Sequence, residues 1–120
     1  GEAELHGIAY GAAQALGLQS LMSDLGWRVR LRVHSDATAA IGICRRKGLG
    51  KIRHLATTDL WIQDKVRSKV IELVKVLGVD NPADVLTKYV DRANMQKALT
   101  AMGLVAMSGR PACAPAAMGA

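Results

Sequence analysis

Three acidic residues at the starts of predicted helices could together hold a divalent metal ion. Asp36 follows an alternating apolar and polar stretch, Val29–Ser35, that predicts a β-strand. Asp84 follows the nearly continuous apolar stretch Val70–Val79, and Glu4 opens a long helical segment. Carboxylates that converge repel one another unless protons or a cation neutralise them, and their hard oxygens suit Mg²⁺ or Mn²⁺. These residue types therefore predict a metal site, provided that the fold brings them together.

Each acid also has a simpler explanation as part of a helix start. Asp36 could cap the helix that follows it, Asp84 could complete a capping interaction with Asn81, and Glu4 could stabilise a first turn through the helix dipole. Capping does not require the acids to converge. A metal site does, and open α/β sheets bind their ligands at the carboxyl ends of the strands, where Asp36 and Asp84 are expected.

Alternating helices and strands must position these acids. Apolar residues recur at helical spacing in the first segment, and a Gly follows its predicted end. The predicted elements are a helix over 4–25, a strand over 29–35, a helix over 37–46, a helix from Thr57 to 67, a strand over 70–79, a helix starting at Asn81–Pro82, and a last helix that follows a break near Asp91 and ends at Gly103. Because helical sequence separates the strands, we expect a parallel pair with a right-handed crossover, hence an α/β fold. The second strand is apolar enough to be covered on both faces.

Length and composition limit the number of domains and the kinds of protein that the chain can be. Its 120 residues make one domain at most, and from Val105 onward small residues, Pro and Gly predict a disordered tail over 105–120. Two distant cysteines favour neither a zinc motif nor a disulfide framework, so we expect an intracellular protein. The uncharged segment Leu5–Ser23 contains Gln, Ser, Gly and His and is too polar for a membrane span, and no basic region precedes it as in a signal peptide.

A basic surplus gives the chain a formal net charge of +6, and part of it is concentrated in one segment. A polyanionic partner would gain from such a segment through counterion release. The alternative is a solvated loop and helix end, where cations suit the helix dipole. The basic cluster consists of Arg45, Arg46, Lys47, Lys51 and Arg53.

Four short blocks, in order and spacing, resemble the ribonuclease H region of copia-type retrotransposon polyproteins. They are Ala3–Leu5, His34–Ile41, Arg53–Leu55 and Asn81–Lys88, and the match covers about residues 1–104. The resemblance implies a ribonuclease H-like domain that cuts the RNA strand of an RNA–DNA hybrid with four acids and two Mg²⁺ ions, inside a cytoplasmic particle or the nucleus. Two metals about 3.5–4 Å apart can activate a water and stabilise the leaving oxygen of a phosphodiester.

The resemblance also assigns roles to individual residues. Glu4, which matches better than Glu2, corresponds to the acid on the family's first long helix, Asp36 to the acid after its fourth strand, and Asp84 to its last acid. These three are therefore the expected catalytic metal ligands. His54 lies in a family block beside Arg53 and joins the basic cluster as a candidate contact to the hybrid.

Departures from the family pattern limit what the chain is expected to do alone. The family's first acid lies on a strand that would precede Gly1, so an upstream polyprotein segment would have to supply that acid and three of the five strands. Ala56 stands where the family often has an acid. We therefore expect a truncated ribonuclease H-like domain with little or no activity in isolation. The alternative is a catalytically dead relic that binds nucleic acid or pairs with a partner through its bare strand edge.

Overall fold

The computed structural model describes residues 1–50, 59–105, 107–109 and 112–113. The predicted helix start at Thr57 and most of the predicted disordered tail lie outside this part of the chain. The chain divides into two compact units, Gly1–Asn81 and Pro82–Ala120.

The first unit is an α/β arrangement around a pair of parallel strands, as the sequence predicts. Its helices are α1 (Glu2–Asp24), α2 (Thr38–Arg45) and α3 (Trp61–Arg67). Strands β1 (Leu31–Ser35) and β2 (Ile71–Lys75) pair in register, so that Leu31 faces Ile71 and Ser35 faces Lys75. Both helices between the strands belong to the crossover that a parallel connection needs.

The core lies between the three helices and one face of the sheet. The predicted stripe of α1 supplies Leu5, Ile8 and Ala12, with Leu16 packed against them. The largest fully buried side chains are those of Leu5, Cys44, Ile62 and Ile71. Burial raises the pKa of the Cys44 thiol to about 11, so this cysteine stays protonated and serves as a small core residue.

The second strand differs from the prediction in length and in cover. It ends at Lys75, and Gly78–Asp80 forms a 3₁₀ turn. Ile71 and Leu73 are buried, whereas Glu72 between them is exposed and pairs with Arg32 across the sheet at 2.9 Å, and Val74 on the same face as Glu72 is only partly buried. The prediction of cover on both faces is therefore wrong for the described residues. Pairing stops because β1 ends at Ser35, whose carbonyl accepts the last bond from the Val76 amide, at 3.0 Å.

A buried glutamine joins α3 to the loop after α2. Gln63 is only 4% exposed. Its Nε2 donates to the carbonyls of Ile43 and Gly48, at 2.8 and 3.0 Å, and its Oε1 accepts from the Gly48 amide at 2.9 Å. One side chain thus satisfies both backbone groups of Gly48, in a loop without regular structure, and the carbonyl of Ile43 near the end of α2.

The second unit contains a 3₁₀ helix, Pro82–Leu86, and α4 (Arg92–Ala101), which contact each other. The predicted start at Pro82 and break near Asp91 are confirmed, although the first of these helices is a short 3₁₀ segment. Asp91 caps α4 by accepting a bond from the Asn94 amide at 2.9 Å. Gly103, with a φ of +73°, follows the end of α4. None of the described helices combines the length and apolar character that crossing a membrane requires.

Candidate functional site

Asp36 immediately follows β1 but does not cap α2. The N-cap residue of α2 is Ala37, and no side chain caps that helix. The turn is closed instead by Ser35, whose Oγ accepts a bond from the Ala37 amide at 3.2 Å. Capping therefore does not explain Asp36.

The carboxylate of Asp36 lies beside the backbone of the segment that follows β2. A β-carbon added to Gly78 would lie 3.6 Å from Asp36 Oδ2, so the two strand ends meet at this edge of the sheet. Asp36 is half-buried, and within the described part of the chain its side chain has no hydrogen-bond or ion-pair partner. A carboxylate in this position can accept bonds from a ligand or bind a cation without first breaking an internal contact.

Glu4 lies at the amino end of α1, which is adjacent to the start of α2. A β-carbon added to Gly1 would lie 3.9 Å from that of Ala39, in the first turn of α2. The Glu4 carboxylate pairs with the Gly1 ammonium group at 2.7 Å, and this hydrogen bond holds the pKa of Glu4 below its ordinary value. The fold thus places Glu4 and Asp36 at neighbouring helix starts.

Asp84 belongs to the second unit and has a cation of its own. Lys88 Nζ lies 3.0 Å from Asp84 Oδ2, one helical turn further along the chain. The Asp84 side chain is 24% exposed and that of Lys88 is 63% exposed, so the pair contributes little to stability. The ion pair matters for metal binding, because Lys88 neutralises the negative charge of Asp84 that a metal ion would otherwise balance.

The described residues do not by themselves complete a metal site. Among them, no group of three or more His, Cys, Asp or Glu side chains could hold a metal ion. Carboxylate oxygens are the right kind of donor for Mg²⁺, but they are too few. The prediction that Glu4, Asp36 and Asp84 share metal ions remains a prediction.

Two members of the basic cluster take part in the fold. Arg45 Nη2 donates to the carbonyl of Leu73 in β2 at 3.0 Å, and Arg46 Nη2 donates to the carbonyl of Leu49. A β-carbon on Gly50, whose φ is +62°, would lie only 2.8 Å from the Arg46 guanidinium carbon. These arginines therefore support the strand and the loop, whatever else they bind.

Lys47 is the described member of the cluster that is exposed and has no partner among the described residues. Lys51, Arg53 and His54 lie outside the described residues. Lys47 is thus the position at which binding and folding can be tested separately.

We expect Lys47→Gln to flatten the salt dependence of binding to an RNA–DNA hybrid. One lost phosphate contact should reduce the slope of log affinity against log salt by about 0.9, because one fewer counterion is released. Fluorescence anisotropy of a labelled hybrid over a series of salt concentrations measures the slope, with Lys69→Gln, an exposed lysine before β2, as the matched control. If the slope of Lys47→Gln equals that of the wild type, Lys47 does not contact the hybrid.

The sequence did not lead us to predict a role for two residues of the first unit, Gly78 and Gln63. Gly78 interrupts the apolar stretch after β2, and this interruption was the signal that the strand ends and that another group approaches its backbone. Gln63 follows the apolar Ile62 in a predicted helix and carries no sequence signal of burial. Its role depends on where the loop after α2 returns to α3.

No protein-family model matches the chain, and no curated protein or solved structure matches it significantly. The resemblance to the ribonuclease H region therefore depends on the four sequence blocks alone.

Proposed function

We propose that this chain is the carboxyl-terminal part of a ribonuclease H-like domain from a copia-type retrotransposon polyprotein. In that role it contributes to metal-dependent hydrolysis of RNA in RNA–DNA hybrids, and it is inactive as an isolated chain. Two features support the proposal besides the four blocks. The strands are parallel and joined through helices, and an acid follows β1 at the edge where α/β sheets bind ligands.

The observation that carries the proposal is the state of Asp36. Its carboxylate is half-buried at the carboxyl end of β1, lies beside Gly78, caps no helix and has no partner among the described residues. Such a carboxylate can bind a cation without giving up an internal contact, at the edge of the sheet where α/β folds bind their ligands.

In the complete domain, Asp36, Glu4 and Asp84 would hold Mg²⁺ together with an acid from the upstream polyprotein segment. Bound Mg²⁺ supplies an activated water and stabilises the leaving oxygen of the phosphodiester. The chain's own task is to hold its carboxylates in place, through the strand end for Asp36 and the helix start for Glu4. Basic residues from Arg45 to His54 would contact the phosphates of the hybrid.

A non-catalytic relic that binds nucleic acid is the second candidate, and one observation favours it. Asp84 pairs with a cation of the same chain, Lys88. A site maintained for metal binding would have to exchange this cation for the metal. The two candidates therefore differ in whether the acids take up a divalent ion.

A titration with Mn²⁺ distinguishes them. Paramagnetic Mn²⁺ broadens the amide resonances within reach of its binding site, so we expect selective loss of signals around Asp36 and Gly78 at millimolar Mn²⁺, the order expected for an incomplete set of carboxylates (about 10⁻³ M). Excess Mg²⁺ should restore the signals. Asp36→Asn should abolish the selective broadening, whereas Asp64→Asn, an exposed acid paired with Arg67, should preserve it. Uniform broadening that Asp36→Asn leaves unchanged would contradict the proposal and support the relic.

A further inference from the structure

The outer face of α1 is apolar although it is exposed. Leu18, Leu21 and Leu25 are 59%, 54% and 66% exposed. From Leu5 to Ser23 the helix contains no Asp, Glu, Lys or Arg, so this face has none of the charges that normally solvate a surface helix. Such a face marks an interaction surface.

The same face carries two glycines that the chain itself does not explain. Gly7 and Gly11 lie one turn apart within α1, and a β-carbon added to either would meet nothing within 4 Å. Glycine destabilises a helix interior relative to alanine, so it needs a compensating reason. Close approach of another helix to the backbone is such a reason, and no element of the described chain makes that approach here.

The glycines and leucines of this face lie along one seam with coiled-coil spacing. The seam positions are separated by alternating steps of four and three residues. These steps average about 3.5 residues, the period that keeps one side of a helix against a partner helix. The seam consists of Gly7, Gly11, Gln14, Leu18, Leu21 and Leu25. Its glycines are at the amino end and its leucines at the carboxyl end.

This asymmetry fits an antiparallel copy of the same helix. When two seams are aligned antiparallel about their midpoint, Leu25 lies opposite Gly7, Leu21 opposite Gly11, and Leu18 opposite Gln14. Each leucine near an end then fills the gap above a glycine, and the arrangement repeats by two-fold symmetry. A parallel pair would instead place leucine against leucine and leave the glycines facing each other.

The charges at the two ends of α1 agree with the same orientation. Glu2 and Glu4 are exposed at the amino end, whereas the carboxyl end presents Arg28 and Arg30 beside a single exposed acid, Asp24. Antiparallel pairing brings the acidic end of one copy to the basic end of the other, which favours encounter in the correct orientation.

We propose that the chain forms a two-fold symmetric homodimer through the α1 seam, with the two helices antiparallel. From Gly7 to Leu25 the seam is about 27 Å long at 1.5 Å per residue. A contact of one helix per protomer is at the small end of specific interfaces, so we expect a weak dimer whose population depends on protein concentration. The proposal does not depend on the proposed nuclease function, since the seam lies on the outer face of α1.

Sedimentation equilibrium of the full chain over a concentration series tests the dimer. Leu21→Glu should raise the dissociation constant at least about 100-fold, because it buries a carboxylate over the partner's Gly11. Leu86→Glu changes another exposed leucine, 79% exposed and outside the seam, and should leave the constant unchanged. A chain that stays monomeric at about 1 mM, or two variants with the same dissociation constant, would overturn the proposal.

The glycines give a test in which stability and association move in opposite directions. The double substitution Gly7→Ala and Gly11→Ala should raise the thermal stability of the monomer, since alanine favours the helix. It should also weaken the dimer about tenfold by filling the gaps that receive the leucines. If the dissociation constant of the double variant's dimer is equal to or lower than that of the wild type, the glycines do not admit a partner helix.

Cross-linking determines the orientation. In an antiparallel pair, the two copies of residue 14 are about 6 Å apart along the helix axis and the two copies of residue 3 about 39 Å apart. With Cys113→Ser as background and Cys44 buried, Gln14→Cys should therefore cross-link to its own copy and Ala3→Cys should not. Cross-linking through Ala3→Cys would overturn the antiparallel arrangement.

Discussion

Asp36→Asn is expected to lower hybrid cleavage about 1,000-fold in the chain joined to its upstream polyprotein segment. The substitution keeps the size of the side chain but removes the negative charge at the carboxyl end of β1. Stabilisation of developing charge by a single preorganised group is commonly worth two to three orders of magnitude, and a factor of 1,000 corresponds to about 4 kcal/mol of activation free energy. Release of labelled RNA fragments from an RNA–DNA hybrid in Mg²⁺ measures the rate.

Two controls make this result specific to the site. Asp64→Asn, in α3, should retain the full rate because Asp64 is exposed to solvent and already pairs with Arg67. The isolated chain of 120 residues should leave the hybrid intact. Magnesium-dependent cleavage by the isolated chain, removed by Asp36→Asn, would show that no upstream acid is needed. Full activity of Asp36→Asn in the longer protein would exclude Asp36 from the reaction.

Gln63→Met is expected to destabilise the first unit by about 3 kcal/mol. Methionine has a similar length and fills a similar volume, so the loss reports the hydrogen bonds rather than a cavity. The substitution leaves the Gly48 amide and the carbonyls of Gly48 and Ile43 without their partner, and a buried group without a partner costs about 1–3 kcal/mol. Urea unfolding followed by circular dichroism measures the free energy of unfolding.

Gln96→Met on the exposed side of α4 is the matched control and should change the free energy of unfolding by less than about 0.5 kcal/mol. If Gln63→Met is equally mild, the loop after α2 does not depend on Gln63. The result also bears on the basic cluster, since Gln63 and the Arg46 guanidinium group support the same loop around Gly48 and Gly50.

Features that depend on local pattern were predicted well. The alternation before Ser35 predicted β1, the apolar spacing at Leu5, Ile8 and Ala12 predicted the buried side of α1, and Pro82 marked a helix start. The parallel pairing also followed from sequence, because helical sequence between two strands leaves no short hairpin connection. Each of these inferences uses residues that are near one another in the chain, or a topological rule that needs no coordinates.

Features that depend on partners across the fold were not predicted. The length of β2 was overestimated because strand pairing ends with the partner strand at Ser35, whereas apolar residues continue beyond Lys75. Arg45 and Arg46 looked like free cations, yet they donate to the carbonyls of Leu73 and Leu49. A cationic side chain that binds a backbone carbonyl has no sequence signature.

The sequence by itself determined the α/β class, the parallel strands and an acid directly after the first of them, because periodicity and chain connectivity are local properties. Tertiary structure alone decided that the Asp36 carboxylate lies beside Gly78 without a partner among the described residues, while Asp84 pairs with Lys88. It also decided that Leu18, Leu21 and Leu25 face solvent. Hydrophobicity indicates only that a side chain should be covered, and the packing of the other elements determines whether its own chain covers it.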